Sequence, residues 1–260
     1  MAGGRGEHDD RSVAGRLFAI LDAFSWPSVA SALSLTAIAE RADLPLSTTH
    51  RLVAEFVEWG GLVREEDGRY ALGMRLWEVG VQTPTARNLR TAALPYLEDL
   101  YESTHEHVHL AILDGTDALY LEKLSGRNAV SITSRVGARM PLHSTGVGLV
   151  LLAHAPTATV DAYLASSMQR FLPGTVTAPE ELRRRLAAIR ATGMALTREE
   201  MTAGSSSIAA PIRDRTGEVV AAVSIVTRSA PEADPALELA VRQAAIGTSR
   251  SLGYRRSAFH

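Results

Sequence analysis

Three helical patterns followed by a hairpin signal, all in the first quarter of the chain, most constrain the fold. Apolar residues recur at helical spacing in VAGRLFAILDAF, LTAIAERA and STTHRLVAEFVEW. Ser34 is a plausible cap for the second pattern, and Gly60-Gly61 ends the third. Asp67-Gly68 then separates two short alternating segments, a strong hairpin signal. Three helices and a hairpin within about sixty residues are the layout of a winged helix-turn-helix module.

The third helix carries side chains that suit contact with DNA. Its first turns are polar, and its apolar stripe starts only at Leu52. Hydroxyls, a helix N-terminus and arginine side chains can contact phosphates and base edges. Further arginines flank the hairpin tip and the start of the module. The candidate DNA-binding residues are Arg11, Arg16, Ser47, Thr48, Thr49, His50, Arg51, Arg64 and Arg69.

A simpler interpretation of the same helix is an ordinary surface helix capped by Ser47. Acidic residues slightly outnumber basic ones between Arg11 and Arg75, and the formal net charge of the chain is -2. Overall charge therefore favours neither a nucleic-acid nor a membrane partner. DNA binding would depend on how charge is distributed over the faces, and it should weaken strongly with salt.

The rest of the chain mixes strand and helix patterns. Hairpins are predicted around residues 114–116 and 215–217, AVSITSRV is predicted as a further strand, and STGVGLVLLAHA as a capped helix. TAPEELRRRLAAIRATG reads as a helix with a Thr177–Glu180 capping box and Gly193 past its end. Strands joined by hairpins, with helices between them, predict an α+β domain on a mainly antiparallel sheet.

These patterns predict two domains. We place a disordered lead-in over residues 1–10, the winged module over 11–75, a linker helix over 76–90 and the second domain over 91–255. The helical pattern of the linker is predicted to break near Thr83-Pro84. The chain has no cysteine, which excludes disulfides and thiolate metal sites. No apolar run approaches the ~20 residues of a membrane-spanning helix. We expect a soluble, cytoplasmic protein with no membrane partner.

The start of the helix in MPLHSTGVGLVLLA has the properties of a small anion site. Ser144 or Thr145 caps it, and its first turn is Gly-Val-Gly, so backbone N–H groups are free and a ligand can approach closely. Met140, Leu142 and Val147 would supply apolar walls. The alternative is a buried helix whose glycines serve only close packing.

Both halves of the chain resemble the IclR family of bacterial transcriptional regulators. SVAGRLFAILDAF, LSLTAIAERADLPLSTTHRLVAEFVEWGGLV and YALGMRLWEVG are similar to its winged-helix part. RVGARMPLHSTGVGLVLLA and GSSSIAAPIRDRTGEVVAAVSI are similar to its effector-binding domain, which has a GAF/PAS-like fold. The resemblance implies a regulator whose affinity for operator DNA is controlled by a small organic acid, with an aromatic or small aliphatic carboxylate as our hypothesis.

The resemblance also implies which residues form the effector pocket. With the apolar wall included, they are Ala129, Ile132, Met140, Leu142, Gly146, Val147, Thr197, Ser205 and Ser207. The chain departs from the family where a lysine is common and it has Leu149, where a cysteine is common and it has Ser207, and where some members have an acid and it has Thr197. Hydroxyls at these positions favour a pocket that hydrogen-bonds a neutral or anionic ligand without repelling it.

Two other classes of function stay open at the level of sequence. His105, His107 and His109 alternate, so an extended backbone would place His107 and His109 on one strand face, as a metal site requires. Polar residues at an element boundary explain them more simply. A hydrolase would pair the serines 205–207 with His143 or His109, but the sequence lacks a G-x-S-x-G elbow.

We therefore expect a ligand-responsive regulator with no catalytic residue, no bound metal and no cofactor. Recognition helices must be presented in pairs to read a palindromic operator, so we expect a homodimer. The resemblance further implies that dimers can pair into tetramers.

Overall fold

The computed structural model describes residues 11–25, 32–126, 129–230 and 234–255. The chain divides into two compact units, one up to Pro84 and one from Thr85 onward. The predicted disordered lead-in, residues 1–10, lies outside the described ranges. Within those ranges, no helix is both long enough and apolar enough to cross a membrane.

The first unit combines short helices with a small sheet. Its three strands are antiparallel in the order β1-β3-β2, and Gly68, with φ of 82°, lies in the hairpin that joins β2 to β3. The predicted winged helix-turn-helix is confirmed, with β1 as an additional strand. Its elements are α1 (Val13–Asp22), β1 (Ala32–Leu33), α2 (Leu35–Ala42), α3 (Leu46–Trp59), β2 (Leu62–Arg64), β3 (Tyr70–Leu72) and α4 (Met74–Gly80).

Helix capping in this unit agrees with the sequence prediction at α2 and differs from it at the start of α3. The Ser34 hydroxyl accepts a hydrogen bond from a backbone N–H in the first turn of α2 at 3.1 Å. In contrast, α3 begins at Leu46 after Pro45, with no side-chain cap. Ser47 therefore lies inside the first turn and is not the cap. Gly60 ends α3 with φ of 83°, as the double glycine predicts.

The elements from Pro84 onward form a six-stranded sheet with helices. The sheet order is β6-β5-β4-β9-β8-β7, and all neighbouring strands are antiparallel. The elements are α5 (Pro84–Thr104), β4 (His107–Asp114), β5 (Asp117–Leu124), β6 (Arg139–Pro141), α6 (Gly146–His154), α7 (Thr157–Ala165), α8 (Pro179–Thr192), β7 (Ala195–Arg198), β8 (Ser205–Arg213), β9 (Val219–Arg228) and α9 (Pro235–Ser251).

The two faces of this sheet have different compositions because side chains alternate along each strand. One face, which includes Leu110, Ile208 and Val223, joins a buried apolar cluster with α5 and α9. The other face packs against α6, and all but the last residue of that helix are buried. On this second face the strands carry polar residues, among them His109 and Ser207. The predicted α+β domain on an antiparallel sheet is confirmed.

Two sequence predictions, for residues 129–136 and for the start of α8, differ from the structure in this part of the chain. Residues 129–136 are irregular rather than a strand, because their polar atoms bond to strand side chains and β6 takes the sheet edge beside β5. The predicted linker helix over 76–90 is broken near Thr83-Pro84, as the sequence predicts: α4 ends at Gly80, and α5 begins at Pro84 and continues to Thr104. No side chain caps α8 at Ala178, so the predicted capping box is not formed.

Candidate functional site

One face of α3 is polar and exposed. Ser47, His50 and Arg51 are exposed and Thr48 is half-buried, whereas Leu52 belongs to the buried core of the first unit. This is the division a helix needs if it is to pack on its own domain and contact DNA with the opposite side.

Thr49 departs from the predicted set of DNA-binding residues. Its side chain is completely buried, and its hydroxyl donates to the carbonyl of Pro45 at 3.1 Å. Helical spacing places position 49 on the same face as Leu52 and Phe56, so Thr49 serves the packing of α3.

Several of the candidate arginines already have partners within the first unit. Arg11 donates to the carbonyls of Ala42 and Asp43 and so caps the C-terminus of α2. The exposed Arg51 pairs with Glu55 one turn later, with Nη1 and Oε1 3.0 Å apart. Arg69 donates to Asp67 at 2.6 Å in the hairpin turn, and its hydrogen bonds lower the pKa of that carboxyl. Arg16 is half-buried on α1 and Arg64 is exposed on β2.

A cavity lies on the α6 side of the six-stranded sheet. It encloses about 50 Å³ and is walled by the start of α6, the irregular residues 132–134, residues 200–202 after β7, and all six strands of the sheet. Its lining residues are His109, Tyr120, Ile132, Thr133, Ser134, Met140, Ser144, Thr145, Gly146, Thr197, Glu200, Met201, Thr202, Ser205, Ser207, Ser224 and Val226.

Six of the nine predicted effector-binding residues line this cavity together. The other three do not: Leu142 and Val147 are buried in the surrounding packing, and Ala129 lies in the irregular segment away from the lining. The six residues in the lining are Ile132, Met140, Gly146, Thr197, Ser205 and Ser207.

The start of α6 packs very closely against β8. Thr145 caps the helix, since its hydroxyl oxygen accepts from Gly148 N–H at 3.2 Å, while the hydroxyl O–H donates to the Pro141 carbonyl at 2.9 Å. A side chain at Gly146 would place its Cβ 2.6 Å from the Ser207 hydroxyl oxygen. Glycine at 146 therefore lets the helix N-terminus and the strand hydroxyls face the same small space.

Among the described residues, Glu200 is the only carboxylate in the lining, and a neighbouring arginine neutralises it. Arg185 donates to both oxygens of Glu200, at 2.8 Å and 2.6 Å, in a bidentate pair. Glu200 is 6 % exposed, so its charge is shielded from water and is balanced by this guanidinium. An anionic ligand in the cavity would consequently meet hydroxyls and the α6 N-terminus without an unpaired negative charge.

His107 and His109 share a strand face, as their spacing predicts, but they are buried rather than at the surface. Their rings are nearly parallel, with centroids 6.4 Å apart. His107 Nε2 lies 2.7 Å from the carbonyl oxygen of Val130, and His109 Nε2 lies 2.8 Å from the Ser134 hydroxyl. Burial, with Lys123 and His107 nearby, lowers the pKa of His109 to about 3, so this imidazole is neutral at physiological pH.

The metal and hydrolase alternatives lack supporting geometry. Within the described ranges, no group of three or more His, Asp or Glu side chains is placed to hold a metal ion. His105 has φ of 53° and is exposed at the end of α5. His143 uses both ring nitrogens elsewhere, with Nδ1 2.7 Å from the Tyr163 hydroxyl and Nε2 2.9 Å from the Gln169 carbonyl.

Sequence reasoning missed most of the polar lining. Ser224 pairs directly with His109 across β4 and β9, so a correct strand register would have placed both on the cavity face. Glu200, Met201 and Thr202 follow β7 in a turn, and no local pattern marks them.

A winged helix-turn-helix with an exposed polar helix, followed along the chain by an α+β domain with a polar cavity, is the domain organisation of a DNA-binding regulator. Residues 13–66 match the IclR helix-turn-helix domain, and residues 81–250 match the family described as bacterial transcriptional regulator IclR C-terminal. The chain belongs to the IclR family.

Similar proteins agree with this assignment. The chain is 35 % identical over 246 residues to the HTH-type transcriptional regulator XynR of Escherichia coli, covering 92 % of this chain and 96 % of XynR. It is 36 % identical to the glycerol operon regulatory protein of Streptomyces coelicolor, covering 86 % and 90 %. Among solved structures, an IclR homolog from Microbacterium hydrocarbonoxydans, complexed with 4-hydroxybenzoate, matches with a TM-score of 0.87 and 39 % identity, covering 93 % of this chain and 99 % of that one.

The chain is thus a DNA-binding transcriptional regulator and not an enzyme, because its relatives are named as regulators and repressors. The hydrolase interpretation of Ser207 is wrong. Two of the three serines that suggested it, Ser205 and Ser207, are instead part of the cavity lining.

Proposed function

We propose that a small organic acid binds in the cavity beside α6 and controls the affinity of the protein for its operator. The observation that carries this proposal is the meeting of the α6 N-terminus with the hydroxyls of Ser205, Ser207 and Thr197 in one buried space. Backbone N–H groups at a helix start and hydroxyl donors are suited to a carboxylate.

An aromatic carboxylate is the class we favour. The similar protein from M. hydrocarbonoxydans was crystallised with 4-hydroxybenzoate, and Met140, Met201 and Tyr120 supply apolar surface here. The cavity encloses about 50 Å³. A cavity that accepts benzene measures about 150 Å³, so a benzoate requires its walls to move apart. The flexible methionine side chains are the parts of the wall that can repack most easily.

We further propose that exposed α3 residues read the operator and that two copies of the chain bind it as a homodimer, with dimers able to pair further. Ser47, Thr48, His50 and Arg51 occupy the part of α3 that a recognition helix turns toward the major groove. Arg64 and Arg69 lie on or beside the hairpin, where a wing contacts the backbone.

Fluorescence anisotropy with the DNA upstream of the gene, titrated at two salt concentrations, tests the operator proposal. We expect binding that exceeds scrambled DNA and falls steeply with salt. Equal affinity for scrambled DNA at both salts would contradict sequence-specific binding to that DNA.

The effector proposal is tested by adding benzoates and short aliphatic acids to the same complex. We expect an acid to change operator affinity, and operator to change acid affinity by the same factor, because the two are linked. Thr197→Val keeps the shape of the lining but removes a hydroxyl, so it should weaken acid binding while leaving acid-free operator affinity unchanged. If no acid altered the complex, the effector class would be wrong.

A further inference from the structure

The cavity contains a hydroxyl whose hydrogen-bond direction is set by a buried histidine. Ser134 lines the cavity, is 9 % exposed and has its hydroxyl oxygen 2.8 Å from His109 Nε2. Among the described residues, no other group bonds to this hydroxyl. Which atom of the pair donates decides whether Ser134 can donate to a ligand.

The surroundings of the imidazole determine its tautomer. Within the described residues, Nδ1 of His109 is buried and has no hydrogen-bond partner. A buried N–H without an acceptor is costlier than a buried nitrogen lone pair without a donor. The single proton of this neutral ring therefore belongs on Nε2, which donates it to the Ser134 oxygen.

His107, two positions away on the same strand face, shows the same arrangement. Its Nε2 faces the carbonyl of Val130 at 2.7 Å, and a carbonyl can only accept, so the proton must be on Nε2. Its Nδ1 also has no partner in the described part of the chain. The two stacked rings thus hold the irregular segment at Val130 and Ser134 with the same tautomer.

The position of Ser134 is held from two directions. Lys123 Nζ donates to its backbone carbonyl at 2.6 Å while His109 donates to its side chain. The His109 ring is itself packed edge-on against Tyr120, with centroids 5.0 Å apart. Since the Ser134 oxygen accepts from His109, its own proton is free to point to an acceptor in the cavity.

We propose that His109 is a positioning residue that orients the Ser134 hydroxyl as a hydrogen-bond donor to an oxygen atom of the effector. This inference rests on the proposed function, since it names a specificity-determining contact of the same cavity. The oriented Ser134 hydroxyl selects acids that present an acceptor oxygen at the irregular 132–134 wall, in addition to the carboxylate that binds at the start of α6.

The first test is independent of any ligand. Long-range ¹H–¹⁵N correlation spectra of the histidine rings, with His109 assigned by comparison with His109→Gln, report which nitrogen carries the proton. We expect a neutral ring protonated at Nε2. A ring protonated at Nδ1 would make Ser134 the donor to histidine and would overturn the proposal.

The second test is calorimetric titration of the full chain with 4-hydroxybenzoate. We expect Ser134→Ala to bind about tenfold more weakly than wild type and Ser134→Thr, which keeps the hydroxyl, to bind nearly as well. His109→Gln can still donate from its side-chain amide and should retain binding, whereas His109→Leu should bind about tenfold more weakly, as Ser134→Ala does. The double variant His109→Leu/Ser134→Ala should bind no more weakly than either single variant, because both act through one hydrogen bond.

The outcomes separate this inference from the proposed function. Wild-type-like binding by Ser134→Ala would overturn the inference and leave the effector site standing. A wild-type chain that bound neither 4-hydroxybenzoate nor benzoate would overturn the aromatic-acid class, and the Ser134 contact with it. Circular dichroism and acid-free operator affinity of each variant show whether the variant still folds, so that weaker acid binding can be assigned to the missing contact.

Discussion

At the scale of single residues, burial changes what a side chain does. His109 would be a charge switch near neutral pH if exposed, but in the sheet interior it is a fixed neutral hydrogen-bond donor. Thr49 looks like a DNA contact in the sequence and is a core residue in the structure. Arg11 has the charge for a phosphate contact, yet its guanidinium binds the end of α2.

The depressed pKa of His109 predicts acid sensitivity of folding. The unfolded chain takes up a proton near the ordinary pKa of 6.5, whereas the folded chain resists it down to about 3. Stability is therefore fully present above pH 6.5 and is lost as pH falls toward 3, by about 1.4 kcal/mol per pH unit from this group. Urea unfolding at about pH 7.5 and pH 5 measures the loss.

The matched variant for this prediction is His109→Gln, which has no proton to take up. Subtracting its pH dependence from that of wild type removes the contributions of all other groups, including His107, whose pKa burial also lowers. Equal pH dependence in the two proteins would contradict the assignment of the effect to His109.

At the scale of elements, α3 and α6 show how one helix can pack in a domain core and also leave polar groups accessible. α3 keeps Leu52, Val53 and Phe56 inside and leaves a polar face outside. α6 is buried almost completely and offers only its N-terminus to the cavity. In both cases apolar side chains position the helix, and the proposed binding groups are those that the packing leaves accessible.

On α3, the exposed pair between Arg51 and Glu55 predicts opposite effects of two substitutions. Arg51→Ala should weaken operator binding and reduce the slope of log affinity against log salt by about 1. Glu55→Gln should strengthen binding, because it removes the carboxylate that competes with phosphate for Arg51. Anisotropy titrations at several salt concentrations measure both effects.

Glu58→Gln provides the control, since it makes the same charge change on the exposed part of α3. If it strengthened binding as much as Glu55→Gln, the gain would come from net charge rather than from release of Arg51.

At the junction of α6 and β8, the close approach of Gly146 to Ser207 predicts a packing penalty. Gly146→Ala should lower the free energy of unfolding by about 1–3 kcal/mol, since its Cβ would lie 2.6 Å from the Ser207 hydroxyl oxygen and 3.2 Å from Ala209. Adding Ser207→Gly removes the nearest obstacle and should recover part of the loss. Urea unfolding checks both, and an unchanged stability for Gly146→Ala would show that α6 can shift at little cost.

At the scale of the whole molecule, exposed apolar side chains support the proposed homodimer. In the first unit, Phe18 is 64 % exposed, Met74 65 % and Trp77 62 %. Large exposed apolar side chains are common at surfaces that pair with another chain. We expect sedimentation velocity to show a dimer or a larger even assembly for wild type.

The variants Phe18→Glu and Trp77→Glu should shift that assembly toward smaller species and weaken operator binding together. Glu78→Ala on the same helix is a suitable control, because it alters an exposed polar position. A wild-type chain that sedimented as a monomer bound to operator would contradict pairing.

The sequence by itself determined the order of the elements, the winged helix-turn-helix, most hairpins and six cavity residues, because these follow from periodicity, turn chemistry and family motifs that are local in the chain. Tertiary structure decided which polar residues became buried and which nitrogen of each histidine found a partner. It also made residues 129–136 irregular rather than a strand and placed 132–134 in the cavity wall, since the segment's hydrogen bonds go to side chains of β4 and β5. These hydrogen bonds join residues far apart in sequence. The free energy of burying such polar groups depends on those distant partners, so no local sequence pattern predicts it.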